Sequence, residues 1–379
     1  MSCLSALSAL SAHLSACPPG RLPVRFGAMS LRPYLVGLVL LAAACEKPKP
    51  PVPVAELRPT GDTILARITE LPLAAWLGGD RWAVLDANGK AVAVASFGTR
   101  SLTRLGGAKT DAYQNPFGLF RSGDSLWVDD WGLRRATAWR LDGTMSGFVP
   151  AADPLRGALP RARDAAGQLY YEVNPPTRPD GSGNRDSAAI VRSTPGLTRF
   201  DTVARLSPPD LAPITDQGQT RFERRALSAS DRWGVLPDGT LWVARPGPNR
   251  VWWIAPGGKS QRGEALPDPV LPVQAEDREM FYRQFPPELR ASAERVTFVI
   301  VKPAFEQAVA APDGSIWLEK SRAYGDSIKQ WQVVDRTGTL KQIFKVRGDG
   351  VLVGLTPDLV LLAEPFTDGH RLLTYRIPR

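Results

Sequence analysis

Three carboxylates stand at one recurring place in this 379-residue sequence. Asp129, Glu172 and Glu319 each follow an aromatic residue by two positions, after Trp127, Tyr170 and Trp317. Side chains two apart on a strand point to the same face, so the three acids should project on equivalent sides of three repeated units. Such a ring could hold a hard cation such as calcium, which takes several oxygen ligands. Asp130, Arg245, Lys320 and Glu364 come one position later in their units, and Arg134 and Arg322 lie in loops. These six are candidate contacts for a bound ligand. Charges this close together can also simply pair with one another, the plainer outcome.

Other chemistries are poorly served. Beyond the first fifty residues His370 is the one histidine, beside Asp368-Gly369 where a hairpin turn is expected and a solvated ring would be ordinary. A Ser-His-Asp set or a zinc centre needs histidine next to its partners. Cys45 is the last cysteine, so the chain after it offers no disulfide and no further thiolate.

The elements that carry these residues are repeats. Asp238-Gly239-Thr240-Leu241-Trp242-Val243 reads as a turn and a strand, and Pro246-Gly247-Pro248-Asn249 breaks to a second strand, Arg250-Val251-Trp252-Trp253-Ile254. Copies recur, with the aromatic position filled by Trp82, Trp127, Tyr170, Trp242, Trp317 and, in a degenerate last copy, Leu361. The steps between them are 45, 43, 72, 75 and 44 residues. A period of about 44 suits four short strands and their turns, one propeller blade. The two long steps exceed it by too little for another blade, so they are insertions, at 207–227 and 267–303. A helical solenoid is excluded, because the units alternate with period two and are punctuated by Gly and Pro.

The expected architecture is therefore all-β: a six-bladed β-propeller of four-stranded antiparallel blades over 62–379. The last copy lacks a fourth strand, and Asp62-Thr63-Ile64-Leu65-Ala66-Arg67 resembles the fourth strand Asp201-Thr202-Val203-Ala204-Arg205 of the third. An N-terminal strand over 62–70 should thus close the ring and remove two exposed edges. Trp82, Trp127, Trp242 and Trp317, with Trp139, Trp253 and Trp331 in third strands, read as packing between blades. Trp76, Trp131 and Trp252 are less tied to the repeat and better placed for exposure. Both insertions, and the Pro- and Gly-rich loop 174–186, should emerge on one face. Within the second, Glu276–Gln284 and Pro286–Arg290 read as two short helices anchored by Met280, Phe281 and Phe285. They form a lid or platform over that face, or a flap packed on the ring.

Residues 1–44 contain no acid. Met29-Ser30-Leu31-Arg32 leads into an apolar run from Pro33 to Ala44, a secretory signal too short to span a membrane. Translation starts at Met29, or the leader is longer. Ala42-Ala43-Ala44-Cys45 resembles a bacterial lipoprotein signal, which implies cleavage before Cys45 and lipid on that residue; Ala42 departs from the usual Leu. The alternative is an ordinary signal with a chance cysteine. Residues 45–61 form a Pro-rich linker. The expected address is a membrane-anchored lipoprotein of the cell envelope, and Glu46 is compatible with outer-membrane sorting. Net charge is +9, and losing Arg21, Arg25 and Arg32 with the leader leaves +6; Arg221, Arg224 and Arg225 form the densest basic cluster.

Trp242–Val251, and more loosely Val128–Arg135, resemble the NHL-repeat signature of strand, Gly-Asn turn and Arg-Val. The resemblance implies an NHL-like six-bladed propeller of the bacterial lipoprotein type, and no single activity. Gluconolactonase-like propellers use a carboxylate ring for calcium-dependent hydrolysis; here three blades carry the acid and Arg245 and Lys320 stand nearby. Amidating lyases of the NHL group rely on histidine ligands that this chain does not offer. Some NHL propellers bind RNA, but an exported protein would not meet nucleic acid. Three readings stay open: a binding module for a small molecule, a glycan or an envelope protein; a calcium-dependent hydrolase or lactonase; and a scaffold.

Overall fold

The computed structural model describes residues 50–106, 112–178, 186–216 and 219–378. The leader and Cys45 lie outside the described residues. So do the middle of the 174–186 loop and the tip of the first insertion. The rest is a ring of six four-stranded antiparallel blades.

The turns follow from short-range chemistry. In Asp238-Gly239-Thr240 and Asp313-Gly314-Ser315 the aspartate accepts the N–H two residues on, at 3.0 and 2.9 Å. The glycines take φ +80° and +83°, where a Cβ would be strained. Each turn joins the first strand of a blade to its second.

The first strands, Leu73–Gly78, Pro116–Ser122, Pro160–Arg163, Arg232–Val235, Phe305–Ala310 and Val351–Leu355, touch their neighbours in sequence, and the last touches the first. They line the axis of the ring. The second strands, which carry the aromatic markers, are Arg81–Asp86, Ser125–Asp130, Leu169–Val173, Leu241–Arg245, Ile316–Lys320 and Leu359–Phe366. Their aromatic rings pack between blades. Trp317, Trp331 and Phe344 of the fifth blade meet Leu352, Val360 and Leu362 of the sixth. Trp82 of the first meets Leu361 and Leu372 of the sixth. A Cβ on Gly354 would come within 2.3 Å of the Trp82 ring, so glycine there lets the indole lie against the inner strand. Burying an aromatic side chain contributes about 1.5–3 kcal/mol, which makes these wedges the main cement of the ring.

Arg58–Ala66 pairs antiparallel with Gly369–Arg376 and is the fourth, outermost strand of the last blade. The ring is closed by the N-terminal strand, which starts four residues before Asp62. The chain is ordered into strand earlier still. Val54–Glu56 runs parallel to Leu340–Arg347 as a fifth strand on the fifth blade. Beyond Pro53 the backbone regains its N–H groups and can join a ladder; Pro53 itself contributes its carbonyl, to Ile343 N–H at 2.9 Å.

The first insertion folds as a hairpin, Leu211–Asp216 with Gln219–Arg224. The second holds α1 (Ala275–Tyr282), a 3₁₀ turn (Pro287–Leu289) and α2 (Arg290–Ala293). Asp277 supports the start of α1 by accepting the Gln274 N–H at 2.9 Å. Phe281 packs on Phe285 and Phe298, each with ring centroids 5.2 Å apart, as an anchor should. Met280 is not an anchor: it is half exposed and faces the cavity described below. Among the described residues no helix is long and apolar enough to cross a membrane.

Candidate functional site

The expected ring of carboxylates is not assembled. Asp129 is fully buried, opposite Gly118 on the inner strand and Ala136 on the third. A Cβ at Gly118 would lie 2.4 Å from its Oδ2, so the glycine makes room for the carboxyl group. Neither oxygen has a hydrogen-bond partner among the described residues. Burial therefore pushes the Asp129 pKa up to about 7, against the opposing charge of Arg161. Glu172 instead accepts a hydrogen bond from Trp233 Nε1 of the next blade, at 2.7 Å. Glu319, 4% exposed, is paired with Lys329 Nζ at 2.5 Å. The equivalent strand positions are real, but each acid meets a different neighbour. Among the described residues no three His, Cys, Asp or Glu side chains are grouped as a metal ion would need.

Most of the six candidate ligand contacts also hold the fold. Asp130 is buried and accepts the backbone N–H groups of Gln114, Asn115 and Leu133 at 2.7, 2.9 and 2.9 Å, clamping the entry to its blade to the turn that follows. Arg134 is an exposed turn residue at φ +50°, 3.9 Å from Asp153. Arg245 lies over the Trp252 ring at 4.2 Å and donates to the Arg205 carbonyl oxygen at 2.7 Å. Glu364 accepts from Arg371 across a hairpin at 3.0 Å. Lys320 donates to Asp268 at 2.6 Å and to Asn249 at 3.2 Å, fastening the start of the second insertion to two blades. Burial depresses its pKa, and Asp268 opposes that shift. Arg322 donates to Asp349 at 3.2 Å and to the Asp326 carbonyl oxygen at 3.0 Å, and of the six it alone lines the largest cavity described here.

His370 also departs from expectation. It is buried, and its Nδ1–H donates to the Ile68 carbonyl oxygen at 2.7 Å, tying the last hairpin to the end of the closing strand. Trp131 is exposed, as its place off the repeat suggested, and stacks on Phe117 at 5.0 Å.

The cavity, about 870 Å³, lies beside both insertions. Both insertions wall it, Arg224 and Leu227 from the first and α1 from the second, together with Ser228, Ala229 and Ser230 just after the first and the Arg322–Ser327 loop of the fifth blade. Its floor comes from inner strands, at Arg232, Phe305 and Glu306. Lys302 bridges Asp277 of α1, at 2.5 Å, and the Arg322 carbonyl oxygen, at 2.7 Å, so the helix is fastened to the loop of the fifth blade that shares the cavity wall. Arg290 then forks onto Glu279 at 2.8 and 3.1 Å, fixing α2 to α1. A second cavity of about 270 Å³ lies by Trp131, Arg161, Glu172 and Asn174.

Arg232 and Glu306 escape a sequence reading keyed to second strands. The available signal was a charged residue in a short inner strand, where apolar or small residues usually pack. Glu306 is open to the cavity but has protein on most sides. Burial raises its pKa and the Glu319 charge adds to this; Lys329, Ser321 and Arg322 oppose it.

No family model matches the chain, and no curated protein matches it. A Bacteroides fragilis protein provisionally designated as exported superposes with TM-score 0.50 at 8% identity, over 86% of this chain and 99% of its own. A member of the DUF4221 family from Bacteroides vulgatus gives 0.48 at 10%, over 85% and 95%. A gluconolactonase from Xanthomonas campestris gives 0.45 at 14%, over 87% and 99%. At such identities the likeness is one of fold alone.

Proposed function

We propose that this protein is an exported binding module, anchored by lipid on Cys45 in the cell envelope, whose loop-rich propeller face takes up a ligand. The cavity under α1 carries the proposal. Its volume lies in the range of small-molecule sites, about 300–1,000 Å³, and it is walled by the very segments that depart from the repeat. Loops on a rigid scaffold are where binding usually sits. The signal-like run ending at Cys45 supports export and anchoring. Small molecules and glycans fit the cavity; an envelope protein would reach it through a loop. The acids that a calcium-dependent hydrolase would use have separate environments, so binding is the better-supported reading.

Two measurements test it. Immobilised wild type and Ala323→Trp, a bulky block on an exposed cavity loop, are exposed to an envelope extract, and retained small molecules are identified by mass spectrometry. Wild type retains species that the blocked variant loses; identical profiles overturn the reading. In a bacterial host, Cys45→Ser moves the protein out of the membrane fraction and abolishes labelled-palmitate incorporation, whereas unchanged fractionation removes the anchor.

A further inference from the structure

The charges around this cavity narrow its ligand, an inference that rests on the cavity being a binding site. Five cationic side chains line it. Three are neutralised in place: Lys302 by Asp277, Arg322 by Asp349 and Lys329 by Glu319. Arg224 and Arg232 have no carboxylate within ion-pair distance among the described residues. Arg224 instead donates from Nε to Ser228 Oγ at 2.8 Å, and from Nη2 to the Ser228 and Ala229 carbonyl oxygens and to Ser230 Oγ. Arg232 donates from Nε and Nη2 to the Glu306 carbonyl oxygen, at 3.2 and 3.0 Å. Both guanidiniums are thus fixed by neutral oxygens, and each keeps Nη1 without an acceptor among the described residues.

The acids show the converse. Asp277 and Asp349 are held by the cations just named, and Asp326 accepts the Ile328 N–H of its own turn at 2.9 Å. The Glu306 carboxylate has no cation within ion-pair distance among the described residues. Among the described residues the cavity therefore presents two guanidiniums and one carboxylate that stand outside ion pairs, with Glu172 and Glu306 acting on Arg232, and Lys329 and Arg322 on Glu306, only through longer-range charge.

We propose that the cavity binds a zwitterion of the amino-acid or short-peptide class, its carboxylate held by Arg224 and Arg232 and its ammonium by Glu306. A guanidinium is a charged donor suited to a carboxylate, and Nη1 of each arginine is the arm left for it, so the two arginines would supply one donor group each. Leu227, Met280 and Phe281 supply an apolar wall for side chains. The electrostatics agree. Burial and then the Arg224 charge pull the Arg232 pKa down, against the opposing charges of Glu172 and Glu306, while burial and then the Glu319 charge push that of Glu306 up, against Lys329, Ser321 and Arg322. Ligand charges of opposite sign would relieve both.

Isothermal calorimetry of the full chain with the tripeptide Ala-Phe-Ala, its C-terminal amide and its N-acetyl form tests this without depending on a variant's folding. The free peptide binds, and each cap weakens binding at least tenfold. In Arg232→Gln the difference between acid and amide shrinks, and in Arg224→Gln with Arg232→Gln it is lost; in Glu306→Gln the acetylated and free peptides bind alike. No binding of the free peptide, or binding indifferent to both caps, overturns the proposal. If the extract still yields molecules lost from Ala323→Trp, the cavity remains a site and only the zwitterion falls. If nothing is retained, both fall.

Discussion

Asp129 gives this propeller a pH dependence that can be calculated and removed. Its carboxyl group is fully buried between the second and third blades, with both oxygens unpartnered among the described residues, and its pKa rises from 3.8 to about 7. The folded state therefore holds a proton that the unfolded chain has lost over that interval. Stability falls as pH rises from about 4 to about 7, then levels off. At about 1.4 kcal/mol per pH unit, the loss is on the order of 4 kcal/mol, a large part of a typical 5–15 kcal/mol. Asp129→Asn keeps the shape and cannot ionise. Urea unfolding of both proteins from pH 4 to pH 8.5 should show them matched at the acid end. The variant should then gain steadily, reaching several kcal/mol above pH 7. Because other carboxylates titrate equally in both proteins, the difference isolates Asp129. A difference flat across this range, or a wild type that gains on the variant with rising pH, would refute the assignment of a neutral buried acid.

Two further perturbations address the frame around the site. Asp130→Ala strands three backbone N–H groups now bound to a carboxylate, and should cost about 3 kcal/mol, since hydrogen bonds to charged groups contribute about 1.5–3 kcal/mol each and are not additive; chemical denaturation measures it. Starting the chain after Ile68 removes the outer strand of the last blade and the acceptor for His370. It should leave an open ring with a much lower Tm and a tendency to associate through the bared edge, visible by calorimetry and light scattering; an unchanged Tm would mean that closure contributes little.

The repeat itself was legible. Aromatic residues spaced by about 44, Asp-Gly turns and period-two strands admit few architectures other than a propeller, because these signals are local and each copy restates them. The missing strand of the last copy and its replacement from the N-terminus could also be inferred, as an unpaired edge is costly wherever it falls. Packing of Trp82, Trp242, Trp317 and Trp331 between blades followed from their repeat position.

The partners of the charged residues were not legible. Sequence placed Asp129, Glu172 and Glu319 at equivalent strand positions, and that equivalence held. What each side chain meets is decided by neighbours across strands: Trp233 of the next blade for Glu172, Lys329 of the third strand of its own blade for Glu319, and no hydrogen-bond partner among the described residues for Asp129. Asp130 and His370 looked available and prove to be fasteners: the donors to Asp130 lie on backbone that its own blade brings near, and the acceptor for His370 on backbone that only closure of the ring brings near. Conversely Arg232 and Glu306, 74 residues apart, become neighbours because inner strands of successive blades converge on the axis. Local pattern determines which strands form, whereas electrostatics acts through space. The candidate site could therefore be read only once the blades had closed.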